Sequence, residues 1–417
     1  MKALQFLADP DPWPEPLADD APPLLRNLST TPMALVDLPD PPLLADDWVV
    51  LQTRVTGICG SDSKQVLMDF DDSSDNLMTA FISFPQVLGH EVVGTVTSTG
   101  PKATGLDVGQ RVVLFPNLGC RARGLTPLCP ACERGDYSIC SRFHDGHLSP
   151  GIHTGNATEA TGGFAEALPA HTSMAIPVPD DIPDEVAVLA DPWSVSFHAI
   201  TRNPPALGSK VVVYGAGALG TTATAILTQL YDCEVATIAR WPAQADLARS
   251  FGATVFDAGT EAGDPAAARE ALVEQLVAWS GGVLRRPWDG LPCAYPGQID
   301  VVYDTVGAPA TVELGLRILR EQGTLVQLGV TSPARFEWTP WYFKELRLIG
   351  SNAFGNETFE GRRQHAFEHY FDLLHDGRVD LRGMLTHQFR LAEWREAFAT
   401  IIDQSSTGAI KVAFDFR

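Results

Sequence analysis

Cys129, Cys132 and Cys140 lie in the run CPACERGDYSIC, spaced C-x2-C-x7-C, and Cys120 stands upstream in the same loop region. Four thiolates from one loop can close a tetrahedral zinc site with no open position, which is a structural arrangement. A second set has a different character. TGICGSD supplies Cys59, and LGHEVVG supplies His90 and Glu91, each in a glycine-flanked turn. Sulfur, nitrogen and oxygen donors together leave room for the open coordination position that a catalytic zinc needs. A lone cysteine or histidine is more often structural than ligating. Here the turns, glycines and neighbouring carboxylates favour ligation. Cys233 and Cys293 have no partner pattern and read as ordinary thiols. His144, His147 and His153 fall irregularly in one glycine-rich loop and read as surface histidines.

A third chemistry is written in VVVYGAGALG, Val211–Gly220. A β-branched run ends in Gly215, Gly217 and Gly220, with Leu219 inside the motif, and a helix-like stretch follows. The first glycine allows a tight turn, the second allows backbone to approach a pyrophosphate, and the third lets helix pack on strand. The phosphates then meet free N–H groups at the helix N-terminus.

These residues need scaffolds to position them. A chain of 417 residues is expected to form two domains. From Trp48, strand-like runs recur at WVVLQTRVTGI, EVVGTVTS and QRVVLFP, which suits a β-rich first domain. After about residue 190, strands at 210–214, 234–239, 299–303 and 323–329 alternate with helices at 217–231, 242–251, 264–279 and 308–320. That is the βαβ pattern of a doubly wound parallel sheet. Residues 1–50 read as an irregular edge with one or two strands, DFDDSSD as an exposed loop, and 281–298 as an insertion. The tail carries two helical stretches and a last strand, AIKVAFDF.

A net charge of −21 disfavours nucleic acid as a partner. No apolar run approaches a membrane span. With seven cysteines, an odd number, and no signal-peptide pattern in MKALQFLADPDPWP, a cytoplasmic location is expected.

GICGSD, GHEVVG, the four-cysteine loop, ADPWSVSFHA, GAGALG and DTVGA occur in the order found in the zinc-dependent medium-chain alcohol dehydrogenase family, which the chain resembles over nearly its whole length. The resemblance implies a GroES-like, β-rich catalytic domain over 1–190 and a Rossmann cofactor domain over 191–352. A C-terminal segment, 353–417, would return to the catalytic domain. It implies a catalytic zinc held by Cys59 and His90, with Asp191 as the further protein ligand and Glu91 as a close carboxylate exchanging with water. A structural zinc on Cys120, Cys129, Cys132 and Cys140 makes two per chain. Ser61 takes the place of the hydroxyl that receives the alcohol proton, and Asp62 supports the His90 imidazole. Lys64 stands where many members have a histidine completing the proton relay.

Thr305, Val306, Leu328, Gly329 and Val330 would face the dinucleotide from strand ends. At the end of the second Rossmann strand stands Ala239 followed by Arg240, where an NAD site would normally place Asp or Glu. A guidanium without a competing carboxylate suits a 2′-phosphate, so NADP(H) is expected over NAD(H). The implied activity is hydride transfer between that cofactor and a small alcohol, polyol or matching carbonyl compound. The implied assembly is a homodimer or homotetramer. Competing readings are a zinc-free enone or quinone reductase and a non-catalytic nucleotide-binding protein on the same fold. Cys59, His90, Asp191 and Ser61 count against both.

Overall fold

In the computed structural model, residues 1–14, 16–69, 80–259, 264–329, 337 and 339–417 are described. The chain divides into two compact units, one of Met1–Asp191 with Leu385–Arg417 and one of Pro192–Met384.

In the first unit the alternating run WVVLQTRVTG forms the long strand Trp48–Gly57, which pairs antiparallel with Glu91–Thr99. The seven-stranded sheet runs Leu385–Phe389, Lys411–Asp415, Trp48–Gly57, Glu91–Thr99, Arg111–Leu114, Ala175–Pro177, with Ala167–His171 also on Trp48–Gly57. The C-terminal end of the chain therefore contributes to this sheet: Ala413 pairs with Gly57 and Phe414 with Thr56. A three-stranded sheet of Met33–Asp37, Lys2–Phe6 and Gln86–Val87 lies in the same unit. Between its first two strands, inside the edge read as irregular, sits the helix Pro23–Thr30. Pro23 is tolerated at its first turn, and Leu24, Leu25 and Leu28 join Trp394 and Phe398 in one apolar cluster.

The second unit is a six-stranded parallel sheet ordered Thr254–Asp257, Glu234–Ala239, Lys210–Tyr214, Ile299–Asp304, Leu319–Gln327, Arg347–Gly350. That is the doubly wound 3-2-1-4-5-6 order, whose ligands bind outside the carboxyl ends of the strands. Val211, Val212 and Val213 are all fully buried, as a strand covered on both faces requires. The helix expected over 308–320 ends at Ile318, and the strand expected from 323 starts at Leu319. Leu319 turns extended there because it pairs with Ile299 and is fully buried, so tertiary burial overrides the helical pattern. Residues 353–384, grouped with the C-terminal segment in the sequence reading, lie in the second unit. Tyr370 packs 5.1 Å from Trp193, and His369 5.3 Å from Phe197. The insertion at 281–298 carries a short hairpin, Leu284–Arg285 against Cys293–Ala294. Most of DFDDSSD lies outside the described residues.

Candidate active site and metal centres

Cys59 lies two residues past the strand Trp48–Gly57 and occupies the N-cap of the short helix Gly60–Val66. Asp62, at the third helical position, accepts from the Cys59 amide at 3.1 Å and from the Gly89 amide at 3.4 Å. Its other contact is His90, whose Nδ1 stands 3.5 Å away. One buried carboxylate thus fastens the two turns that carry Cys59 and His90. Burial opposes ionisation of Asp62, but His90 and the Cys59 amide hold its carboxyl below the usual range. Ser61 is exposed on the first turn of the same helix. Burial lowers the Lys64 ammonium from its ordinary value.

Donor atoms of Cys59, His90 and Glu91 all lie within 4.8 Å of one another. Asp191 stands outside that group, so Glu91 rather than Asp191 completes the tight donor set. Asp191 is buried nonetheless, with no hydrogen-bond partner for Oδ2 among the described residues. Its carboxyl is pushed up to about 7, chiefly by burial and also by Glu91. Thiolate, imidazole and carboxylate form a donor set that zinc accepts, and a buried, unpartnered carboxylate oxygen beside them is the kind of group a cation satisfies.

Sequence reasoning missed two neighbours. Lys411, in the last strand, contacts Glu91 and donates to the Ile58 carbonyl at 3.0 Å. A signal for it existed. A lysine inside AIKVAFDF, an apolar strand buried along most of its length, demands a buried partner. The other is His153, expected at the surface with His144 and His147. His144 and His147 are exposed, but His153 is half-buried with its ring centroid 4.6 Å from that of His90. Burial, then the nearby His90, pushes it down to about 3. Irregular loop spacing held no sign of this placement.

The other cysteine set is compact. Cys120, Cys129, Cys132 and Cys140 are buried, with donor atoms within 4.8 Å of one another. Sγ of Cys140 stands 3.7 Å from that of Cys120 and 3.9 Å from that of Cys129. Four thiolates at about 2.3 Å from one zinc stand about 3.8 Å apart at the corners of a tetrahedron. The separations match metal ligation and are far too long for a disulfide. Amides of Cys129, Cys132 and Arg142 point at Cys120, Cys129 and Cys140 sulfurs at 3.3, 3.5 and 3.4 Å. Hydrogen bonding from Cys132 outweighs burial and pulls the Cys140 thiol down to about 5.

In the second unit, Gly215 turns the chain at φ +96°, and a Cβ there would meet the Thr305 hydroxyl at 2.7 Å. A Cβ on Gly220 would come within 1.9 Å of the Gly215 carbonyl, so only glycine lets this helix sit on the turn. Gly217, at the N-cap of Ala218–Leu230, has open space where its Cβ would be. Free helix amides behind an open glycine fit a pyrophosphate. Leu219 is half-buried, and its carbonyl accepts from Ser196. Asp304, fully buried, accepts from the Val306 and Gly307 amides and the Thr311 hydroxyl, fixing the DTVGA turn. The Thr305 hydroxyl is spent on the Tyr214 carbonyl at 2.8 Å. Val306 is exposed, Leu328 is buried, and Gly329 packs against the Val306 backbone. Val330 lies outside the described residues. Arg240 is exposed and lies over the Trp241 ring, 4.7 Å from its centroid.

A doubly wound unit with a glycine-rich turn at its first helix, and a β-rich unit with two clusters of metal-type donors, are the two halves of a zinc-dependent dehydrogenase. Residues 45–180 match the alcohol dehydrogenase GroES-like domain and residues 218–373 the zinc-binding dehydrogenase domain, together more than half of the chain. The chain belongs to the zinc-dependent medium-chain alcohol dehydrogenase family. It is an oxidoreductase of the class that works with zinc and a nicotinamide cofactor.

It is 27% identical over 390 residues to (R,R)-butanediol dehydrogenase of Saccharomyces cerevisiae, covering 89% of this chain and 92% of that protein. It is 26% identical over 361 residues to D-arabinitol dehydrogenase 1 of Uromyces fabae, covering 86% of this chain and 88% of the relative. Among solved structures, an alcohol dehydrogenase from Escherichia coli CFT073 complexed with NADH superimposes with a TM-score of 0.72 at 19% identity. The match covers 100% of this chain and 99% of the other, and speaks to fold. No helix among the described residues is long and apolar enough to cross a membrane.

Proposed function

We propose that this chain oxidises small alcohols of the diol and polyol class, or reduces the matching carbonyl compounds, with NADP(H) preferred. The carrying observation is the donor set Cys59, His90 and Glu91 in one 4.8 Å cluster. These three would hold the catalytic zinc, with Asp191 as the nearby buried carboxylate. When bound, the zinc supplies Lewis acidity at the alcohol oxygen and the nicotinamide supplies the hydride acceptor. Ser61 takes the alcohol proton at its hydroxyl oxygen and passes it toward solvent, which its exposure permits. Lys64, with its ammonium lowered by burial, stands three residues further along the same helix and would extend the relay. Asp62 orients His90 and the Cys59 turn and so would hold both ligands in place for the metal.

The Cys120, Cys129, Cys132 and Cys140 set would hold a second, structural zinc, giving two per chain. Gly215, Gly217, Leu219 and Gly220 would cradle the pyrophosphate, and Thr305, Val306, Leu328 and Gly329 would border the cofactor. Arg240, with no carboxylate at Ala239, supports the choice of NADP(H). The diol and polyol class is supported by the names of the relatives. Thiols kept for metal rather than disulfides support a reducing, cytoplasmic setting. An outer sheet edge at Arg347–Gly350 beside the exposed Trp341, Tyr342 and Phe343 supports a homo-oligomer.

Initial rates with 2,3-butanediol, xylitol and D-arabinitol, with each cofactor and after zinc chelation, test the reading. Zinc-dependent NADPH formation supports it. Equal rates after complete zinc removal contradict it.

A further inference from the structure

His153 is brought to His90 by a loop with its own fastening. Arg123 is 1% exposed and donates to five backbone carbonyls: Leu118, Asp145, Leu148, Ser149 and Gly151. Four of these carbonyls belong to the loop that ends at His153, so one buried guanidinium sets its path. Flanking bonds lock its exit. Leu118 donates to the Ile152 carbonyl at 3.0 Å, Thr154 to the Pro116 carbonyl at 2.8 Å, and Asn117 bridges to His153. The His153 ring then packs 4.6 Å from His90 with the planes 44° apart.

Its hydrogen bonding fixes which nitrogen is available. Nδ1 lies 2.7 Å from the Thr154 carbonyl oxygen. A carbonyl only accepts, so Nδ1 carries the hydrogen and Nε2 keeps its lone pair. Nε2 has no protein partner among the described residues, and the ring is only half-buried. A rigidly held acceptor beside the proposed metal ligand, unused by the described part of the fold, is a recognition group for a hydroxyl.

We propose that His153 is a substrate-recognition residue whose Nε2 accepts a hydrogen bond from a second hydroxyl of a diol or polyol, the first being the one oxidised beside His90. The proposal rests on the alcohol-oxidation reading above and narrows it to substrates with a neighbouring hydroxyl. Arg123 is its positioning residue.

The test compares 2,3-butanediol with 2-butanol on zinc-loaded full-length wild type, His153→Leu and His153→Gln. Calorimetric titration of 2,3-butanediol and zinc content accompany the rates. Wild type is expected to favour the diol in kcat/KM. His153→Leu should shrink the diol-to-monoalcohol ratio roughly 10- to 100-fold and weaken diol binding in parallel, with zinc content unchanged. His153→Gln, whose amide oxygen also accepts, should restore much of both. An unchanged ratio in His153→Leu, or a wild type without diol preference, overturns this proposal alone. A wild type that oxidises neither alcohol overturns the oxidation reading, and this proposal with it.

Discussion

The Lys411 ammonium faces the Glu91 carboxylate inside the first unit, each side chain 1% exposed. The two residues lie far apart in the sequence, and the last strand delivers the lysine beside the strand Trp48–Gly57. Burial disfavours the charge on Lys411, but Glu91 and Cys59 hold it above its ordinary range. Replacing one partner leaves the other charged and buried. Lys411→Met is therefore expected to cost about 3–5 kcal/mol in chemical denaturation of the zinc-free protein. The double variant Lys411→Met with Glu91→Gln should recover most of that loss. Equal losses in single and double variants would remove the pair from the account.

The four-cysteine cluster makes a prediction about metal count. Cys132→Ser should lower zinc content by one atom per chain while leaving the Cys59 centre loaded. It should also lower the melting temperature, because metal binding to a closed site contributes to folding. Cobalt-substituted wild type should show intense tetrathiolate bands that the variant loses, leaving only the weaker absorption of the single Cys59 thiolate centre. A variant with undiminished zinc would show that these sulfurs hold no metal.

Cofactor choice turns on Arg240. Its removal should lower kcat/KM for NADP roughly 10- to 100-fold, the worth of charge-assisted hydrogen bonds to a phosphate. The value for NAD should change little. A similar fall with both cofactors would instead mark Arg240 as an adenine contact beside Trp241, and NADP preference would need another source.

His365 ties folding to pH. Its Nδ1 accepts from the Phe367 amide at 3.2 Å, capping the helix Ala366–His375, so the cap requires the neutral ring. Burial is the main cause that pushes its pKa down to about 3. In the unfolded chain a histidine titrates near ~6.5, so between these values the unfolded state binds the extra proton. Stability from this group is thus complete above about pH 6.5 and is lost as pH falls toward 3, on the order of 1–3 kcal/mol by pH 4. His365→Asn keeps a capping oxygen without the titration. It should show a shallower loss of stability over that window, measured by denaturant midpoints at stepped pH. Parallel curves for the two proteins would rule the histidine out.

Much of the chemistry was legible because it is local. Gly215, Gly217 and Gly220 sit within one turn, and the four cysteines within one loop, so spacing alone carries their geometry. The parallel sheet was legible too, since Val211, Val212 and Val213 announce a strand buried on both faces. What escaped depends on long-range packing. His153 and Arg123 work through backbone carbonyls of an irregular loop, which no periodicity encodes. Leu319 looks like a continuing helix until its pairing with Ile299 is known. Glu91 and Asp191 are both carboxylates near zinc-type donors, and only three-dimensional distance separates their places.

The most direct test of the central claim is zinc content and diol oxidation measured together on wild type and Cys59→Ser. Wild type should hold two zinc atoms per chain and reduce NADP with 2,3-butanediol or a polyol. The variant should retain one zinc and lose at least ~1,000-fold in kcat. A variant that loses that zinc and keeps the wild-type rate would contradict the account.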